Sequence, residues 1–388
     1  MDTAIRPAAG EAATLDSLLT PALELDEAKL RRNALAMRER AGGLGVALRP
    51  HMKTAKSAAV ARVALAADAG PITVATLREA DYFVGNGFTD ITYAVSIVPQ
   101  KLAPAAALMA KGADLKILTD DAGVAAAVAR AVAPAGRPFK VLIEIDCGEH
   151  RTGLAPDSGA LLDIAKVLDG AENATLAGVL THAGHSYLCR TPAAMARVAR
   201  DECAAARHAA ERLRAAGFAC PTVSVGSTPT ARFAESLEGV TEMRPGVYLF
   251  GDLFQAGIGT CAVSDIAVTV LSSVIAHRRD ENALLIDAGG LALSKDRATQ
   301  ALPEDRGYGL VCDLTSGQPI PTLMIDSVHQ EHGHVVAAGP MPFDRLPVGA
   351  KVRVMPNHVC MTAASYDAYR VIDDDGRITA IWDRCNGW

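Results

Sequence analysis

The stretch VALRPHMKTAKS, residues 46–57, reads as the end of one strand and the beginning of a helix. Apolar Val46, Ala47 and Leu48 give way to Arg49, His51 and Lys53, so polar side chains crowd the strand's C-terminal end. In barrel enzymes that end is where the chemistry is placed. Working outward, the same kind of apolar run recurs at Ile72–Thr76, Ile91–Ser96, Leu115–Thr119, Val141–Asp146, Leu176–His182, Val223–Ser227 and Thr241–Leu249. Ala-, Leu- and Arg-rich stretches of helical character lie between, such as Asp26–Ala41, Asp121–Ala133 and Thr191–Ala216. Alternation of this kind calls for parallel strands with crossover helices, an α/β arrangement. Eight strand candidates predict a closed (β/α)8 barrel of TIM type over residues 26–258. Pro245 and Gly246 interrupt the eighth.

Beyond residue 258 the rhythm changes. Ala267–Ile275, Ala283–Ile286, His334–Ala338, Lys351–Met355, Tyr369–Asp373 and Ile378–Ile381 follow one another without long helices. That predicts a mainly antiparallel β domain over 259–388. Residues 1–25 are expected to join it, their first dozen as a loose tail.

Half of the 388 residues are apolar, enough for a large core, and 33 glycines and 20 prolines supply tight connections. A net charge of −6 without any basic block argues against nucleic acid and anionic membranes as partners. No apolar run reaches the ~18 residues of a membrane span. The N-terminus lacks the charged-then-apolar order of a secretory signal. Eight cysteines without a CxxC pair read as reduced thiols in a cytoplasmic protein.

Further segments set polar residues just past apolar runs. IEIDCGEHRTG (143–153) carries Arg151 in a turn, and LTHAGHSY (180–187) carries His182 and Tyr187. VGSTPT (225–230) joins a strand to a helix start through Gly226, Ser227 and Thr228, where free N–H groups and hydroxyls suit a phosphate. RPGVY (244–248) is a second such turn, with Gly246 and Tyr248. PNHVC (356–360) follows Lys351–Met355; in an extended segment His358 and Cys360 would face the same way and converge on one ion. Each segment alone also has an ordinary reading, as a cap, a surface ion pair or a buried thiol.

Taken in order, these motifs resemble the D-serine dehydratase and D-threo-3-hydroxyaspartate dehydratase family, fold-type III pyridoxal-phosphate (PLP) enzymes related to D-threonine aldolase and alanine racemase. R-P-H-x-K-T-x-K, D-x-G-x-x-R-x-G and H-x-C carry the resemblance. HQEHG (329–333), DAG (287–289) with SKDR (294–297), and GYGLVCD (307–313) extend it from about residue 15 to Trp388. It implies an alanine-racemase-like barrel, with Lys53 as the Schiff-base lysine and Arg151 beside the cofactor's phenolic oxygen. His182 would pack on the pyridine face, and Tyr187 would lie near the substrate. Gly226, Ser227, Thr228, Gly246 and Tyr248 would grip the phosphate. His185 stands where the pattern keeps a small or amide residue, and its role stays open. A lysine in that position needs walls of low polarity to hold a reactive amine.

The resemblance also implies a divalent metal on His358 and Cys360, zinc first, with manganese, cobalt or magnesium compatible. The dehydratase branch carries H-x-C there and the aldolase branch H-x-D, so the expected reaction is dehydration of a D-3-hydroxy amino acid to a 2-oxo acid and ammonia. D-threo-3-Hydroxyaspartate, D-serine and D-threonine are the candidate substrates, and a homodimer is implied. Retro-aldol cleavage to glycine and an aldehyde is the alternative. Racemisation would need a second acid/base on the opposite face, and a non-catalytic PLP-binding protein would ordinarily lack the β domain.

Overall fold

The computed structural model describes residues 14–388, and the loose tail expected over the first dozen residues lies outside them. Two compact units share the chain. Among the described residues, one holds Ala34–Tyr248, Ile258–Thr260 and Cys385–Trp388; the other holds 14–33, Leu249–Gly257 and Cys261–Arg384.

The first described strand, β1 (Ala22–Asp26), belongs to the second unit. The first unit is built on β2 (Ala47–Leu48), β3 (Ile72–Val74), β4 (Asp90–Ser96), β5 (Asp114–Thr119), β6 (Phe139–Ile145), β7 (Ala174–Thr181), β8 (Thr222–Val225) and β9 (Glu242–Met243). All pair in parallel in the order β2-β9-β8-β7-β6-β5-β4-β3. The ends of that order meet through a parallel bridge from His51 to Thr73, reinforced by the Met52 N–H donating to Thr73 O at 2.8 Å. The sheet is thus a closed ring, as the alternation predicted. Strands β2 and β9 are far shorter than the apolar runs that announced them, since Pro50 and Pro245 end them early.

Helix starts carry their own signals. The side chains of Thr76, Asp121, Thr191 and Ser227 accept from the N–H groups of Glu79, Val124, Ala194 and Thr230, each closing a first turn. Pro192 follows Thr191 at the first helical position of the long helix Pro192–Ala215. That helix turns Met195, Ala199, Cys203, Ala206 and Ala210 inward at helical spacing.

The second unit is a mainly antiparallel sheet of nine strands: β1, β10 (Val268–Arg278), β11 (Ala283–Ile286), β12 (Gly309–Cys312), β13 (Pro319–Val328), β14 (Gly333–Ala337), β15 (Lys351–Pro356), β16 (Ala368–Ile372) and β17 (Ile378–Asp383). Strand β10 pairs with both β15 and β11, which closes β10-β11-β14-β13-β12-β15 into a ring. β1 extends this sheet, pairing with β10 and, in parallel, with β16. One expectation fails here. Strand β15 ends at Pro356, His358 is the N-cap of the helix Val359–Ala363, and Cys360 lies inside that helix. The two side chains are therefore not alternate residues of an extended segment.

Candidate active site

In the barrel unit, Lys53 follows β2 and is exposed, its N–H donating to His51 Nδ1 at 3.3 Å. That exposure does not match the low-polarity walls expected around it. The neighbouring lysine is engaged elsewhere: Lys56 Nζ donates to the fully buried Glu79 at 2.8 Å. Of the two lysines in the motif, Lys53 is the exposed one and Lys56 is half-buried.

Two imidazoles feel the same cations. Burial, with Lys53, Arg151 and Arg244, pushes His182 down to about 3, and burial with Lys53, Arg244, His182 and Arg151 holds His51 well below its ordinary value. Both rings are neutral at neutral pH. His182 keeps its tautomer through Nδ1, which lies 3.2 Å from Gly226 O and so carries the proton it donates. Arg244 is buried at 4% exposure and donates to Thr181 O, Ser224 Oγ and Val225 O, bracing the ends of β7 and β8. Arg151 is exposed and pairs with Glu149 at 3.6 Å. Asp146 shapes its turn by accepting from the N–H groups of Gly148 and His150.

The phosphate expectation changes in detail. The N–H groups at the helix start are already partnered: Gly226 N–H donates to Glu202, Ser227 N–H to Thr230 Oγ1, Thr228 N–H to Tyr187 Oη and Thr230 N–H to Ser227 Oγ. What remains are hydroxyls. Thr228 Oγ1 and Tyr248 Oη are buried without a hydrogen-bond partner among the described residues. Burying an unpaired hydroxyl costs about 1–3 kcal/mol, so two of them on adjoining loops suit a polar ligand. Gly246 brings its loop close: a Cβ there would lie 2.5 Å from His51 O. Tyr187 lies on the turn after β7, hydrogen-bonded through Oη to the Thr228 N–H. His185 on that turn has a buried Nδ1 with no partner among the described residues. The barrel residues named from sequence thus lie on the turns that follow β2, β6, β7, β8 and β9, and their hydroxyls and cations fit a phosphorylated aldehyde.

In the β unit, His358 Nδ1 is 2.5 Å from Asp296 Oδ2, and Cys360 also hydrogen-bonds the ring. Asp252, fully buried, accepts from the Val359 N–H at 3.0 Å and faces His358. Burial would lower His358, but Cys360, Asp252 and Asp296 outweigh it and push the ring up to about 10. The pocket attracts positive charge. Among the described residues no group of three His, Cys, Asp or Glu side chains is arranged to enclose a metal. A nitrogen and a sulfur donor with a carboxylate behind the imidazole nevertheless make a chemically apt pair for a divalent ion.

Sequence reasoning did not single out His51, Glu202, Arg244, Asp252 or Asp296. His51 and Asp296 lay inside quoted motifs, and Arg244 began RPGVY. Glu202 could have been found as the acidic residue on the apolar stripe of its helix.

Residues 25–253 match the family described as alanine racemase, N-terminal domain, and residues 267–372 the putative serine dehydratase domain. The chain is 46% identical to D-threo-3-hydroxyaspartate dehydratase of Delftia sp. (strain HT23), over 97% of this chain and 99% of the relative. It is 30% identical to D-threonine aldolase of Arthrobacter sp., over 98% of this chain and 96% of that one. The solved structure of a cysteine-to-alanine mutant of D-threo-3-hydroxyaspartate dehydratase, in the metal-free form, superposes with a TM-score of 0.93 at 45% identity, over 97% of this chain and all of that one. The chain therefore belongs to the family of the D-threo-3-hydroxyaspartate and D-serine dehydratases, PLP-dependent carbon–oxygen lyases with an alanine-racemase-type barrel.

Proposed function

We infer that the protein is a dehydratase that converts a D-3-hydroxy amino acid to a 2-oxo acid and ammonia. The observation that carries this reading is the His358–Cys360 pair, the H-x-C that the resemblance assigns to the dehydratase branch, with Asp296 on the imidazole, in a chain 46% identical to D-threo-3-hydroxyaspartate dehydratase. PLP supplies an electron sink for the carbanion formed at Cα.

Lys53 would hold the cofactor, and its amine would take the α-proton. Neutral His182, held by Gly226, would lie against the cofactor ring without competing for its charge. Arg151 would favour an ionised phenolic oxygen. Thr228 and Tyr248 would donate their free hydroxyls to the phosphate, on loops set by Gly226, Ser227 and Gly246. Tyr187 would stand at the substrate. His358 and Cys360 would hold a divalent cation, whose chemistry is Lewis-acid help for a poor leaving group, the β-hydroxyl. Loss of that hydroxyl and the α-proton leaves an enamine, which tautomerises and hydrolyses to the 2-oxo acid and ammonia with no change in oxidation balance.

Zinc suits a thiolate–imidazole pair and is the metal proposed. Residues 26–258 are assigned the cofactor and residues 259–388 the metal. A homodimer is proposed on the family resemblance, and a cytoplasmic setting on eight cysteines that form no disulfide.

The test is incubation with PLP, zinc and each of D-threo-3-hydroxyaspartate, D-serine and D-threonine. Ammonia and 2-oxo acid in equal amounts support the reading. Glycine with an aldehyde would replace it with the aldolase reaction.

A further inference from the structure

Glu202 sits on the inward face of the helix Pro192–Ala215, 1% exposed, in register with Met195, Ala199 and Ala206. A carboxylate among alanines is costly unless its oxygens are occupied. Here a single atom, Oε1, accepts from the Ala183 N–H at 2.9 Å and from the Gly226 N–H at 3.0 Å. The Thr230 side chain hydrogen-bonds the same carboxylate. The two amides belong to different turns. Ala183 follows His182 after β7, and Gly226 precedes Ser227 and Thr228 after β8.

The turns are stitched at two further points, Ser186 Oγ to Ser227 Oγ at 2.8 Å and the Thr228 N–H to Tyr187 Oη at 3.4 Å. His182 Nδ1 adds its bond to Gly226 O. Glu202 supplies the acceptor beneath this seam; burial pushes its carboxyl up, and the bonds from Thr230, Gly226 and Ala183 offset part of that push.

We infer that Glu202 is a positioning residue for the cofactor: its buried carboxylate sets the spacing between the His182 ring and the Gly226–Thr228 loop. This rests on the PLP reading of the barrel unit. A rigid ligand gripped at its ring by one turn and at its phosphate by the other tolerates little error between them. Reach matters here more than charge, since one oxygen serves both amides. Glu202→Gln keeps that oxygen and can donate its amide to Thr230 Oγ1. Glu202→Asp keeps the carboxyl group but is one methylene too short to serve both turns.

The experiment uses full-length holoenzyme and measures PLP release to a trap, visible circular dichroism of the bound cofactor, and kcat and KM. Glu202→Gln is expected to stay within about threefold of wild type, with an unchanged dichroic band. Glu202→Asp should release PLP about ten- to a hundredfold faster, change the band and lose kcat more than KM. Wild-type behaviour in Glu202→Asp overturns the inference. If that variant does not fold, Ser186→Ala removes a neighbouring stitch and leaves Glu202 in place. Retention within about threefold of wild type then supports the inference, and a tenfold loss would move the spacing role to the Ser186–Ser227 bond and overturn it. A wild-type chain that takes up no PLP would overturn the cofactor reading itself.

Discussion

His182 ties the stability of the cofactor-free barrel to pH, and the size of the effect follows from its surroundings. In the unfolded chain a histidine titrates near 6.5. In the folded barrel, burial together with Lys53, Arg151 and Arg244 brings His182 down to about 3. The folded ring is therefore neutral across the range from pH 7.5 to 5, while the unfolded chain takes up nearly one proton there. A depressed folded value means stability that is present above 6.5 and lost as pH falls toward 3. The slope approaches about 1.4 kcal/mol per pH unit, and the loss from pH 7.5 to 5 integrates to about 2 kcal/mol. Substitution His182→Asn keeps a donor for Gly226 O and removes the titrating ring. Urea unfolding of both apo-proteins, followed by far-UV circular dichroism at several pH values, reads the difference directly. Wild type should lose about 2 kcal/mol more than His182→Asn over that range. His51 is held low chiefly by burial, with His182 only one of four cations or rings acting on it, so most of its contribution is common to both proteins. Parallel loss in the two proteins would refute the reasoning.

Gly246→Ala would drive a Cβ to within 2.5 Å of His51 O, and the loop must shift; PLP affinity should fall at least about tenfold with the fold intact, as read by equilibrium titration. Asp296→Asn removes the carboxylate from His358 Nδ1; metal content after dialysis against buffered zinc should show affinity weakened about ten- to a hundredfold. Borohydride reduction of the holoenzyme followed by peptide mass mapping should find the phosphopyridoxyl group on Lys53. Lys56 should stay unlabelled because Glu79 holds it.

The barrel was legible because each of its strands is an apolar run between helical stretches, and closure follows from their number. Strand length was not, since Pro50 and Pro245 cut β2 and β9 short while the chain stays extended around them. Strands β12 and β13 escaped the pattern: β12 has only four residues and starts at Gly309, and β13 includes Pro319 and Pro321 and has partly exposed faces. Residues 1–25 were expected to join the β domain, but nothing local names β10 and β16 as the partners of β1. The H-x-C pair was legible as chemistry but not as geometry, because an N-cap at His358 turns the chain into a helix where alternation suggested a strand. The turns proposed to hold the phosphate were picked out by Gly, Ser and Thr at a helix start. Which donors stay free depended on partners distant in sequence, Glu202 and Tyr187, so the hydroxyls of Thr228 and Tyr248 emerged only in three dimensions.

The central claim is that this chain breaks the Cα–H bond and expels the β-hydroxyl. It is tested most directly by turnover of D-threo-3-hydroxyaspartate carrying deuterium at Cα, with the label followed by mass spectrometry. The account predicts 2-oxo acid with the α-deuterium lost from Cα, and ammonia in equal amount. Glycine that retains the deuterium, with an aldehyde beside it, would show that Cα–Cβ breaks instead and would contradict the account.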